Sequence, residues 1–362
     1  MKTGYDIIIF ALAVLALAGC RQTPVEEPEG DYISFGPTAV NASDASTRDG
    51  AGSTLIDSAA ELQEHPFGIY GYKSTDDVTF ENVFSSYAAQ EVYYTTSALS
   101  KTDSKGNAYT VDANTWTYDD RQKWDMGKYY RFRAYWPKDK ADINTSSTAK
   151  FLAITYKQVE DYDLMVAYTT RYPLTEGVDR VPMKFQHALA GLRFKFRYKK
   201  VESLKNVSDK ATSLYVTGLN LTATLIYGKA NENDDVTTLR WNIGDNIFDS
   251  TTHLFSWTGS ETFSVGDDID NPTVATVFDK DDHVVFAIPQ KLNAKGSSNV
   301  SYIHFTTDSG GTAVQQVKFP EDTVLEPGKI YTFTLVISDS SVKVNVDIED
   351  WTEIQSNVDI YF

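Results

Sequence analysis

One thiol stands in the chain, and its neighbours define its chemistry. Cys20 is the only cysteine in 362 residues, so no internal disulfide can form. It directly follows Leu17-Ala18-Gly19, at the end of the apolar run 7–18. Those twelve residues fall short of the ~20 that a membrane-spanning helix needs. A short apolar core closed by small residues reads instead as an export signal, although Lys2 is offset by Asp6 and the leading charge is weak. Leu-Ala-Gly-Cys resembles a lipobox, in which the chain is cut before the cysteine and the Cys20 sulfur is acylated. Two or three acyl chains hold a membrane stably where one binds only marginally. Arg21 follows where an aspartate would retain the chain at the inner membrane, which favours an outer-membrane destination.

No other constellation points to catalysis. There is no Gly-x-Ser-x-Gly elbow and no His-Glu-x-x-His pair, so hydrolase and zinc-protease templates fail. His65, His187, His253, His283 and His304 are scattered singly and read as structural. The acidic runs 267–270 and 279–282 lack the glycine and closing glutamate of a calcium loop and read as solvated loops. No enzyme, cofactor or metal is expected. Fifty acidic against 33 basic residues, a formal charge of −17, argue against nucleic acid or anionic lipid as partner. The 22 tyrosines, 19 phenylalanines and six tryptophans raise carbohydrate stacking, with Trp116, Tyr118, Trp124, Tyr129, Tyr130, Tyr135 and Trp136 the densest group. Aromatics at alternate strand positions are more often core and cross-strand pairs.

These residues must be carried by strands. Residues 129–136 alternate large apolar with charged or small side chains and stop at Pro137, as a half-buried strand does. Residues 284–288 are continuously apolar and end at Pro289, the pattern of a strand buried on both faces. Leu192, Phe194, Phe196 and Tyr198 alternate with Arg193, Lys195, Arg197 and Lys199, giving one apolar and one cationic face. Residues 214–226, 331–337 and 342–348 alternate similarly. Turn chemistry at 103–107, 228–235, 308–311 and 326–329 separates them. The one helix expected spans 53–63. Residues 21–30, with two prolines and three glutamates, form a flexible tether. About 330 residues remain, more than one core usually serves. The expected division is an export signal at 1–19, a tether and first strand at 20–48, and β-sandwiches at 49–180 and 181–362. The polar stretch 171–182 is the junction.

Taken in order, several segments resemble the fimbrillin family, the Mfa-like fimbrial subunits. They are Ile33-Ser34-Phe35 with Ser46-Thr47-Arg48; Phe67-Gly68-Ile69-Tyr70-Gly71-Tyr72-Lys73; Trp124 with Tyr130-Arg131-Phe132-Arg133-Ala134-Tyr135-Trp136-Pro137; and Asp163-Leu164-Met165-Val166-Ala167. Residues 183–194, Pro327-Gly328-Lys329-Ile330-Tyr331-Thr332-Phe333 and Ile348-Glu349-Asp350-Trp351 complete the series. The resemblance implies two transthyretin-like β-sandwiches in tandem, hence an all-β fold. It implies a lipidated precursor at the outer membrane that an Arg-specific protease cuts and that then joins an extracellular fimbrium. Mapped here, Arg48 is the cut site. Tyr32, Ile33 and Phe35 lie in the strand that leaves, and a strand from the same or a related subunit fills the vacated groove. The donor is the C-terminal set Ile354, Val358, Ile360 and Phe362, or the alternation 342–348. A strand of the subunit's own second domain has the same pattern, so spacing leaves this open. The alternative is a surface lipoprotein that does not polymerise and binds host glycan or protein through its loops.

Overall fold

The computed structural model describes residues 32–37, 62–84, 88–103, 106–139, 141–143, 147–158, 162–173, 180–231, 233–243, 248–249, 252–277, 284–295, 298–338 and 341–350. Strands account for nearly all of its regular structure, so the chain is all-β. Only the last two residues of the helix expected at 53–63 fall among those described.

The strand Tyr129–Trp136 anchors the first layer. It runs antiparallel between Phe67–Ser74 and Met165–Arg171. The sheet extends through Gln90–Thr95 to Thr115–Tyr118 on one side and to Gln186–His187 on the other. Tyr130, Phe132, Ala134 and Trp136 point into one core with Phe67, Ile69, Trp116 and Trp124. The expected half-buried strand is in fact covered on both faces from Phe132 onward. A second sheet, ordered Leu239–Asn242, Thr222–Gly228, Phe151–Lys157 and Asp142–Ile143, lies over its other face. There Tyr135 and Val166 meet Leu152, Ile154, Tyr156, Leu225 and Tyr227. Phe151–Lys157 pairs with Thr222–Gly228 over its whole length, so this sheet joins strands from both sides of residue 180.

Arg133 sits between the two sheets with 1% of its surface exposed. Its guanidinium donates to the carbonyls of Lys150 at 2.6 Å and Val236 at 3.1 Å, and it lies 4.4 Å over the Tyr168 ring. Burial pushes its pKa down to about 10. Gly228, at φ +121, passes so close that an added Cβ would stand 2.5 Å from the Lys150 carbonyl and 2.7 Å from the guanidinium. Only glycine fits there.

The remaining strands form a sandwich. One sheet holds Ala190–Tyr198 parallel to Lys329–Ile337, flanked by Ala275–Thr276 and Val285–Ala287 on one side and Val342–Asp350 on the other. The facing sheet is ordered Ser256–Ser264, Ser208–Thr217, Tyr302–Thr307 and Gln315–Lys318. Leu192, Phe194 and Phe196 pack against Leu214, Phe263 and Phe305, while Arg193, Lys195 and Arg197 stay half-buried on the outer face. The run 214–226 is not one strand. Gly218, at φ +78, turns the chain so close to Val300 that an added Cβ would stand 2.4 Å from its carbonyl, and three strands result: Ser208–Thr217, Leu219–Asn220 and Thr222–Gly228. The first serves the sandwich and the last the inter-sheet layer.

Candidate functional site

Residues 32–37 occupy a slot in the first core. The strand Phe35–Pro37 pairs in parallel with Val181–Met183. Upstream, Tyr32 bridges Lys123 in the antiparallel sense. The Ile33 amide donates to the Gln122 carbonyl at 2.8 Å, and the Val181 amide donates to the Ser34 carbonyl at 2.7 Å. The Tyr118 hydroxyl donates to the Ile33 carbonyl at 2.9 Å, and burial pushes that phenol's pKa up. The ladder is short because Pro182 offers no amide proton.

Alternation decides what the slot holds. Ile33 and Phe35 point inward and are each 1% exposed. The Phe35 ring meets Phe132 edge-on at 5.1 Å, Tyr118 at 5.6 Å and Phe84 at 6.3 Å. Tyr32 faces outward, with the Arg121 guanidinium 4.3 Å and the Lys123 ammonium 5.1 Å from its ring. Arg180 lies against Gly36, where a Cβ would come within 2.7 Å of its side chain, and donates to the Thr115 hydroxyl at 2.9 Å. Beside Ile33 and Ser34 the slot opens into a groove of about 320 Å³ lined by Asn114, Trp116, Arg121 and Arg180. The site is therefore a segment-shaped cleft, apolar at its floor and cationic at its rim. The segment around Gln122 and the strand Val181–Met183 hydrogen-bond its contents.

Of the residues singled out from sequence, Tyr32, Ile33 and Phe35 lie together in this slot. Cys20, Arg48, Ile354, Val358, Ile360 and Phe362 lie outside the described residues. The alternation at 342–348 belongs to the edge strand Val342–Asp350 of the chain's own sandwich. The slot wall at Val181–Met183 was hidden within a proline-flanked stretch that reads as a junction. Its one signal was the apolar pair Val181 and Met183 around a proline suited to a sheet edge.

The densest aromatic group is core rather than a sugar platform. Trp116, Tyr118, Trp124, Tyr130, Tyr135 and Trp136 are buried, and only Tyr129 is exposed, against Tyr172 at 4.6 Å. His187 is buried against the Asp163 carboxylate at 2.6 Å, and His253 and His304 stack on either side of Tyr215. Among the described residues no three acidic, histidine or cysteine side chains are grouped to hold a metal ion. In the acidic run at 267–270, Asp268 accepts from the Asp270 amide and the Asn271 side chain; the run at 279–282 lies outside the described residues.

The family model of the fimbrillin-like proteins matches residues 58–351, a span that includes Phe84, Tyr118, Gln122, Phe132 and Val181–Met183 of the slot wall. The chain belongs to the fimbrillin-like family. A solved fimbrial protein from Bacteroides vulgatus ATCC 8482 is similar in fold, with a TM-score of 0.52 and 16% identity over 83% of this chain and 97% of that one. The tip fimbrial protein Mfa3 from Porphyromonas gingivalis, solved with a C-terminal truncation, gives a TM-score of 0.33 and 10% identity over 81% of this chain and 97% of that one. No curated protein matches the chain. A fimbrillin-like chain belongs with the structural proteins of fimbriae rather than with an enzyme class. Membership supports a role as a fimbrial subunit, in contact with other subunits, in an appendage at the cell surface.

Proposed function

We propose that this fimbrillin-like chain is the precursor of a pilus subunit that polymerises by exchange of its first strand. Acylation at Cys20 anchors it to the outer membrane. An Arg-specific protease cuts after Arg48, residues 32–37 leave the slot, and a strand from another subunit enters, Ile354, Val358, Ile360 and Phe362 being the candidate donor. The observation that supports this most is the slot itself. A six-residue segment near the start of the chain carries two fully buried side chains and is hydrogen-bonded to Gln122, Tyr118 and the short edge Val181–Met183. Emptied, the slot presents unpaired backbone beside apolar floor, which is a template for strand addition. The polar sequence Ser46-Thr47-Arg48-Asp49-Gly50 has a composition that suits proteolytic nicking, and a subunit that loses residues up to Arg48 also loses its lipid anchor. The chain is two transthyretin-like sandwiches in this reading, and the sheet that joins Phe151–Lys157 to Thr222–Gly228 holds them together during assembly.

Treatment with an Arg-specific protease should yield a ladder of SDS-resistant oligomers, and Arg48→Ala should abolish it while export continues. A clean monomer after complete cleavage at Arg48 would refute the proposal. A second reading, glycan binding by a surface lipoprotein, is favoured by a different feature. A groove of about 720 Å³ is lined by Tyr70, Tyr72, Phe80, Phe151, Asn82 and Lys150, combining aromatic faces with polar groups as small-ligand sites do. Retention on a glycan array that is lost in Tyr70→Ala would support it.

A further inference from the structure

The strand Val342–Asp350 ends its sheet. It pairs with Lys329–Ile337 on one side, and no strand lies on its other side among the described residues. Its hydrogen-bonding phase follows from the hairpin that starts it, where the Ser338 amide donates to the Ser341 carbonyl at 2.9 Å. Antiparallel pairs alternate between bonded and non-bonded. Lys343, Asn345, Asp347 and Glu349 therefore spend their amides and carbonyls on the home sheet, and Val342, Val344, Val346, Ile348 and Asp350 turn theirs outward. A nine-residue edge with its backbone groups open is a template for another strand.

Few sequences fit such an edge, and this one fits itself. With two copies antiparallel and Val346 opposite Val346, every outward-facing residue meets an outward-facing residue, so the backbone phase is satisfied along the whole strand. On one face Val344 then lies opposite Ile348 of the second copy. Ile348 is 60% exposed here, while Val342, Val344 and Val346 already lean on the sandwich core, so the pairing would extend that core across the interface. On the other face Lys343 lies opposite Glu349 of the second copy, in the closer, non-bonded class of pair, with Asp347 diagonal to it. Lys343 has no ion-pair partner among the described residues, whereas Glu349 is bridged to Arg193. Shifting the register by one pair toward the strand's C-terminal end would set Asp347 against Asp347, so charge as well as overlap favours the register centred on Val346.

We propose that the Val342–Asp350 edges of two copies of this chain pair antiparallel about Val346, an isologous contact that fuses their sandwiches into one continuous sheet. The contact is separate from the slot of residues 32–37 and needs no cleavage, so it links uncut chains or lies between neighbouring fibres side by side.

Sedimentation equilibrium on the full chain from micromolar to millimolar concentration should show a reversible dimer. Lys343→Glu should weaken it about tenfold or more, since it sets like charges opposite each other at two symmetric positions. Adding Glu349→Lys to that variant should restore it to within about threefold. Val346→Pro, which removes an outward amide and part of a side chain that leans on the core, should lower the melting temperature modestly and abolish dimerisation. In a chain carrying Cys20→Ser, Val346→Cys should crosslink under mild oxidation. Bonded antiparallel pairs stand about 5.5 Å apart at Cα, inside the disulfide range, and an exposed control, Val314→Cys, should not crosslink. A chain that stays monomeric at millimolar concentration without crosslinking at Val346→Cys would overturn the proposal. So would a dimer indifferent to both Lys343→Glu and Val346→Pro.

Discussion

If the first strand is an exchangeable insert, Phe35→Ala should release it without unfolding the domain. Its hydrogen bonds contribute about 0.5–1.5 kcal/mol each, and the buried Ile33 and Phe35 side chains about 1.5–3 kcal/mol each. Ordering six residues costs about 1–2 kcal/mol apiece. The two sides cancel to within a few kcal/mol, so the strand is held with little margin. Truncating a buried phenylalanine removes about 3–5 kcal/mol, more than that margin. The Val181 amide, which donates to the Ser34 carbonyl, reports the event directly. In native-state hydrogen exchange it should speed up roughly a hundredfold to several-thousandfold, a tenfold change being about 1.4 kcal/mol. Amides of Tyr129–Trp136 should keep their rates and the melting temperature should move little. Phe132→Ala, in the permanent wall of the same core, should lower melting outright. The reasoning fails if Phe35→Ala lowers the melting temperature as much as Phe132→Ala does, with Val181 exchanging only through global unfolding.

Arg133→Ala should destabilise the fold by about 3–5 kcal/mol, because the buried carbonyls of Lys150 and Val236 lose their donor and a cavity is left between two sheets; calorimetry checks it, and a loss under ~1 kcal/mol would mean the guanidinium is solvated after all. Stability should also fall steeply between pH 10 and 12. Burial pushes Tyr72, Tyr130 and Tyr227 up to about 12 from 10.0, so their contribution is whole below pH 10 and is lost as pH rises through 12. Arg133, lowered from 12.5 to about 10, acts in the opposite direction over the same window, one group against three. Denaturant titrations across that range, with ultraviolet absorbance following tyrosine ionisation, would show a flat profile if the rings were solvent-accessible.

Period-two alternation was enough to identify several strands, because side chains on a pleated strand point to opposite faces whatever sheet they join, although it ran three strands together over 214–226. Ala190–Tyr198 and Lys329–Ile337 were legible for that reason, and so were their intervening turns. The family pattern was legible in short segments such as Asp163-Leu164-Met165 and Pro327-Gly328-Lys329. Burial on the second face was not. The charge of Arg133 reads as a solvent-facing residue, and only the arrival of Thr222–Gly228, some ninety residues later, puts it in the interior and supplies carbonyls for its protons. The aromatic cluster from Trp116 to Trp136 likewise has the composition of a binding platform, and nothing local distinguishes a ring facing solvent from one facing a neighbouring sheet.

The sequence by itself determined that this chain is built of strands and carries a single cysteine directly after an apolar run. Those properties depend on residue types and on spacings of a few positions. Only the tertiary structure decided that Tyr32, Ile33 and Phe35 fill a slot walled by Val181–Met183, and that Val342–Asp350 ends its own sheet with no described strand on its outer edge. Both outcomes depend on which strands become neighbours. That is settled by long-range pairing and shared burial, for which two strands with the same alternation are equivalent until the fold brings them together.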